Sequence, residues 1–153
     1  VTSPLEDDVD RALVALLATD GRATLSTLAA AAGLSVSATQ ARVRRLEQRG
    51  VIRGYAADID PEALGLPLAA FIAISPLDPA QPDDAPERLA ELPAVEACYS
   101  VAGEESYVLF VRVPSPRALE GLIREIRSVA NVRTRTTVVL QTFFERTAAL
   151  DTD

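Results

Sequence analysis

Gly33 and Gly50 bracket a stretch, Leu34-Ser35-Val36-Ser37-Ala38-Thr39-Gln40-Ala41-Arg42-Val43-Arg44-Arg45-Leu46-Glu47-Gln48-Arg49, that fits an amphipathic helix and little else. At about 100° per residue, Val36, Thr39, Val43 and Leu46 gather on one side. Ser37, Ala38, Ala41, Arg44, Arg45 and Gln48 gather on the other, flanked by Gln40 and Arg42. Gly33 suits a left-handed helix end, Leu34 plugs the turn, and Ser35 is a good N-cap. A helix introduced this way must pack on earlier helices, and the preceding residues supply two. Pro4 and Asp7–Asp8 open the first, whose Val9, Leu13, Leu16 and Leu17 recur at helical spacing before Asp20-Gly21 stops it. Thr24 opens the second, with Leu25, Leu28, Ala29 and Ala32 turned inward. After Gly50, Val51–Ile52 and Tyr55–Ile59 alternate around Gly54, which suggests a small wing or an extended connector.

Charge sharpens the reading of that third helix. The chain has 153 residues and a net charge of −7, which argues against indiscriminate attraction to polyanions. The distribution is uneven, however. Residues 1–54 carry 7 Arg against 6 acids, and residues 55–153 carry 8 Arg against 16 acids. Five Arg and one Glu fall within 35–53. An arginine-bearing helix face is either solvated surface or the place where a polyanion docks. The tri-helical context, the Gly33-Leu34-Ser35 turn and the following β-wing raise the second to stand beside the first. Small residues near the helix start let the backbone approach base edges, and Ala touches a thymine methyl. Arginines farther along reach guanine or phosphate, and Ser35 with the exposed first-turn amides can hold a phosphate. The candidate DNA-contacting residues are therefore Ser35, Ser37, Ala38, Gln40, Ala41, Arg42, Arg44 and Arg45.

Asp60-Pro61 and Gly65-Leu66-Pro67 punctuate a boundary, and the pattern then changes. Leu68 to Leu77 reads as a strand, Asp83 to Leu92 as a helix and Val95 to Val101 as a strand. Gly103-Glu104-Glu105 reads as a turn into the strand Tyr107–Val113. Pro114-Ser115-Pro116 starts a helix through Leu119, Leu122, Ile123 and Ile126, and Val132 to Phe144 reads as a long last strand. The order β-α-β-β-α-β is the ferredoxin-like split unit. The expected class is α+β: a winged helix-turn-helix over 1–54, a connector over 55–66, a ferredoxin-like domain over 67–147 and a tail over 148–153.

The chain lacks His, Lys, Met and Trp. Without His, a Cys pair, a phosphate loop or a nucleophile elbow, neither acid–base, metal nor nucleophilic catalysis has its usual residues. No cofactor and no metal are expected. Cys98 reads as a small buried hydrophobe in a reducing compartment. No apolar run nears the roughly 20 residues of a membrane span and no signal-peptide pattern opens the chain, so a cytoplasmic location is expected. Tyr99, Tyr107 and Phe143-Phe144 read as packing or interface residues.

Asp10-Arg11, Asp20-Gly21-Arg22, Leu28-Ala29, Gly33-Leu34-Ser35, Arg42-Val43-Arg44-Arg45-Leu46-Glu47, Gly50-Val51-Ile52, Tyr55 and Asp60-Pro61, in this order and spacing, resemble the N-terminal part of the Lrp/AsnC family of transcription regulators. The resemblance runs on through the β-α-β-β-α-β half. It implies operator DNA as one partner, an amino acid as effector, and dimers that assemble further, often to octamers as tetramers of dimers. It implies an effector site at contacts between dimers, on the turn residues Ala102, Gly103, Glu104, Glu105, Ser106 and Tyr107, faced from a neighbouring subunit by Thr134, Arg135 and Thr136. The residue types suit a free amino acid. Gly103 allows close backbone approach, the threonines offer hydroxyls to a carboxylate, and Glu104 or Glu105 offers oxygens to an ammonium. Ser106 departs from the family, which often has Asp there. Two other classes fit the same outline: an amino-acid-binding module acting on a protein partner, which the basic helix face disfavours, and an enzyme on a dimeric α/β barrel, which lacks catalytic residues.

Overall fold

The computed structural model describes Leu5 and residues 7–145. The chain forms two compact units. One holds the described residues up to Asp58 together with Phe144 and Glu145; the other spans Ile59–Phe143. The expected tail over 148–153 and the contribution of Pro4 lie outside the described residues.

The first unit holds three helices, α1 (Asp8–Thr19), α2 (Leu25–Ala32) and α3 (Val36–Gln48). Each starts on a side-chain cap. Asp7 accepts from the Asp10 amide, Thr24 from that of Thr27 and Ser35 from that of Ala38. These bonds satisfy amides that a helix start leaves orphaned. Gly33 ends α2 at φ 66°, where a side chain would be strained, and sends the chain straight into α3. Leu13, Leu28, Val43 and Leu46 form the core. Val36 does not join it. As the first residue of α3 it lies past the end of that cluster and stays about half exposed. No wing forms among the described residues: 51–60 contain no strand. The Val51 and Ile52 amides both bond the Leu46 carbonyl and so act as the end cap of α3. Val51 and Ile52 are thereby taken up by the helix end and do not pair with 55–59.

The second unit follows the β-α-β-β-α-β order: β1 (Leu68–Pro76), α4 (Ala85–Leu89), β2 (Val95–Ser100), β3 (Tyr107–Val113), α5 (Pro116–Ala130) and β4 (Val132–Val138). The sheet is antiparallel in the order β2-β3-β1-β4. Ala70, Ile72, Ile74, Leu109, Val111, Val113 and Val132 pack with Leu89, Leu119, Leu122 and Ile126. Cys98 packs half-buried beside them, and burial pushes its thiol pKa up, which disfavours the reactive thiolate.

Two elements are shorter than expected. The first helix of this unit covers only Ala85–Leu89, not Asp83 to Leu92; past it the Leu92 amide bonds the Leu89 carbonyl in a turn, and Pro93 disfavours helical geometry at Leu92. The last strand stops at Val138 rather than Phe144. Val138 pairs with Ala70, and the Val139 amide makes a final bond to the Ala69 carbonyl. Beyond Leu68 the partner strand has ended, so residues 140–144 have no ladder to join.

Candidate DNA-reading helix and effector cleft

In the first unit, the caps and core fix which side of α3 faces out. Thr39, Val43 and Leu46 are buried, while Ser35, Ser37, Ala38, Gln40, Ala41, Arg44 and Gln48 are exposed. The Thr39 hydroxyl donates back to the Ser35 carbonyl, so its polar group is satisfied within the turn. Ser35 Oγ lies 3.2 Å from Ser37 Oγ, placing two hydroxyls at the helix start beside the positive end of its dipole.

The arginines divide. Arg44 is exposed and makes no ion pair among the described residues. Arg42 is turned back onto α1, where its Nη1 donates to Asp7 at 2.7 Å and to Asp10 at 2.8 Å. Arg45, half exposed, has its Nη2 3.4 Å from Asp10. The Asp10 amide and then the Arg42 guanidinium hold the Asp7 carboxyl below its usual range; hydrogen bonds to Asp7 and Asp10 push Arg42 further up. Asp10 itself is completely buried. Sequence reasoning passed over it as a site residue; the available signal was an acid three residues before the core Leu13, on the inward stripe.

In the second unit, the 101–106 turn closes over the end of β1. The Ser106 amide donates to the Ile74 carbonyl and the Val101 amide to that of Ser106. Two adjoining clefts result. One, of about 610 Å³, lies between Pro76–Asp83 and the turn and is lined by Glu104, Ser106, Tyr107 and Arg133. The other, of about 270 Å³, is lined by Ser75, Glu104, Glu105, Arg133, Thr134 and Arg135. Glu104 and Arg133 border both, so each cleft has a carboxylate and a guanidinium on its wall.

The turn and the last strand therefore meet within one protomer, whatever a second subunit adds. Arg135 donates to Glu105, which engages that carboxylate. Thr134 Oγ1 accepts from Arg127 Nε at 2.7 Å. Thr136 pairs with Ile72, and none of Thr136, Ala102 and Gly103 lines either cleft. Gly103 has no left-handed φ, and a side chain built there meets nothing within 4 Å.

Two wall residues were missed. Arg133 falls in the final-strand segment expected to face the site but was not among the expected contact residues. Asp83 arrives from the lead-in to α4 and accepts a 2.6 Å bond from the Tyr107 hydroxyl. That bond first, and partial burial second, push the phenol pKa up to about 12. Nothing in local spacing links positions 83 and 107. No group of metal-ligating side chains occurs among the described residues, and no helix there is long and apolar enough to cross a membrane.

Known proteins share this arrangement over nearly its full length. Residues 7–47 match the AsnC-type helix-turn-helix domain and residues 69–149 the Lrp/AsnC ligand binding domain. The HTH-type transcriptional regulator LrpA of Mycobacterium tuberculosis is 68% identical over 138 residues, which is 90% of this chain and 92% of that protein. A feast or famine regulatory protein from M. tuberculosis, solved in complex with L-methionine, superposes with a TM-score of 0.89 at 68% identity, over 91% of this chain and 95% of that one. A transcriptional regulator of Neisseria meningitidis, also complexed with L-Met, superposes with a TM-score of 0.83 at 28% identity, over 93% and 94%. Two matched domains in the order the structure builds them, and a relative at this identity, place the chain in the Lrp/AsnC family of transcriptional regulators.

Proposed function

We propose that this chain binds operator DNA through α3 and that an amino acid held at the 101–107 turn modulates that binding. The observation that carries the reading is the capped helix α3, whose exposed side presents Ser35, Ser37, Ala38, Gln40, Ala41 and Arg44 together. Small residues at the helix start let it sit deep in a major groove, the hydroxyls and first-turn amides meet phosphate, and Arg44 reaches a guanine edge or phosphate. Arg45 stands at the margin of this face. Arg42 anchors the helix to α1 and lies outside the contact.

The effector is a zwitterion in this reading. Arg133 takes its carboxylate and Glu104 its ammonium, both from the cleft wall. Glu105 and Arg135 neutralise each other and frame the site. The L-methionine complexes of two relatives support an amino acid with an apolar side chain.

The functional unit is a homo-oligomer, dimers that assemble to octamers. The sheet face away from the helices supports it. Phe71 and Tyr99 are exposed there, Phe71 packs on Phe110 at 5.1 Å between centroids, and Arg112 lies over the Phe110 ring. An uncovered aromatic face of this kind is satisfied by a second copy. Effector binding then favours one assembly or domain arrangement over another and resets the spacing of recognition helices, which must lie about 34–36 Å apart to share one face of a duplex. The location is cytoplasmic, where the DNA is.

A thermal-shift screen of the twenty amino acids, with mass by light scattering, tests the sensor and the assembly together. Stabilisation by a subset of amino acids is expected. A flat response across all twenty overturns the effector reading, and a monomeric mass overturns the assembly.

A further inference from the structure

Asp10 is the one charged side chain among the described residues that is completely buried. Its Oδ1 accepts from Arg42 Nη1 at 2.8 Å and its Oδ2 faces Arg45 Nη2 at 3.4 Å, while Asp7 engages the same Arg42 nitrogen from the outside. Fold stability alone does not account for an acid here. Desolvation offsets most of a buried ion pair, and apolar replacements of similar size are often as stable. The neighbouring core of Leu13, Leu28, Val43 and Leu46 is itself apolar.

The consequence falls on the arginines. Arg42 and Arg45 are three residues apart and share one flank of α3; Arg44 points elsewhere. An arginine that reaches phosphate adds affinity for every sequence equally. A regulator that must find its operator among many competing sites depends on the ratio of specific to non-specific binding, not on affinity alone. Resting on the DNA-facing reading of α3 above, we propose that Asp10, with Asp7 beside it, is a specificity-determining positioning residue: the two carboxylates hold Arg42 off the phosphate backbone, so that α3 meets DNA with Arg44 and small polar residues. Asp10 touches no DNA itself. It acts by removing sequence-independent attraction from the helix that reads sequence.

The test uses the full chain and two duplexes, one selected from a random pool by the unsubstituted protein and one scrambled, with binding followed by fluorescence anisotropy across a salt series. Asp10→Asn, made together with Asp7→Asn, keeps the shape and the α1 cap and removes both charges that hold Arg42. It is expected to bind the scrambled duplex several-fold tighter, to lose selectivity, and to steepen the log–log salt slope by about one for each arginine released. Adding Arg42→Gln to it should restore most of the original slope, which a purely structural role for Asp10 would not do. Parallel loss of affinity for both duplexes by this variant, or an unchanged salt slope, with its circular dichroism unchanged, would overturn the proposal. If this variant does not fold, two single variants decide. Arg42→Gln should leave the slope as it is, and Arg44→Gln should make it shallower by about one. A shallower slope with Arg42→Gln overturns the role of Asp10 alone. No change with Arg44→Gln overturns the DNA-facing side of α3, and this proposal with it.

Discussion

The hydroxyl of Tyr107, at the start of β3, donates a 2.6 Å hydrogen bond to Asp83, which stands twenty-four residues earlier on the approach to α4. The bond ties the loop before α4 to the effector turn, and it persists only while the phenol is protonated. The folded-state pKa, about 12, lies above the ordinary value of 10. The bond's contribution is therefore fully present below pH 10 and is lost as pH rises through about 12. Titration by near-ultraviolet absorbance should show a late-ionising tyrosine near pH 12. Tyr107→Phe should remove that late step, and its persistence would show that another tyrosine carries it.

Arg44→Ala should weaken operator binding by about 1–3 kcal/mol while leaving the melting temperature nearly unchanged, since Arg44 is exposed and lies outside the Asp7–Asp10 ion pairs. Gel shifts beside a thermal melt make the comparison. Unaltered binding would place the DNA on a different surface.

Ser35→Ala should lower stability by about 0.5–2 kcal/mol through loss of the bond that caps the Ala38 amide. It should also weaken DNA binding, because the same hydroxyl stands at the helix start. Chemical denaturation reads the first effect and anisotropy the second. A cap that mattered only to folding would leave DNA affinity intact once the protein is folded.

Gly103→Arg should weaken amino-acid binding, because it sets a cation beside the cleft residue Glu104, and should leave the fold intact, because a Cβ there meets nothing within 4 Å and no left-handed φ is required. Isothermal calorimetry with L-methionine is the measurement. Normal heats of binding would place the effector elsewhere.

Phe71→Glu should shift the mass by light scattering toward the monomer. The substitution puts a charge at the centre of the uncovered aromatic face, opposite Phe110, where burial against a second copy would be costly. An unchanged mass would show that assembly uses another surface.

Local chemistry was sufficient for much of this protein. Thr24, Gly33 and Ser35 announced two helix starts and one helix end, because caps and left-handed turns depend on a few adjacent residues. The apolar stripes announced the core, and the alternation after Gly65 announced the strands. Tertiary structure decided what depends on partners distant in the chain. The last strand ends at Val138 because β1 ends, not because its own residues change character. Arg42 and Arg44 look alike in sequence, yet one is fastened to a buried acid on α1 and the other faces out. Asp83 reaches Tyr107, and Arg135 reaches Glu105, only once the sheet has formed. Residue type and spacing set which helices and strands form; which charges remain available for a ligand depends on Coulomb partners brought together by folding, and no local pattern encodes that.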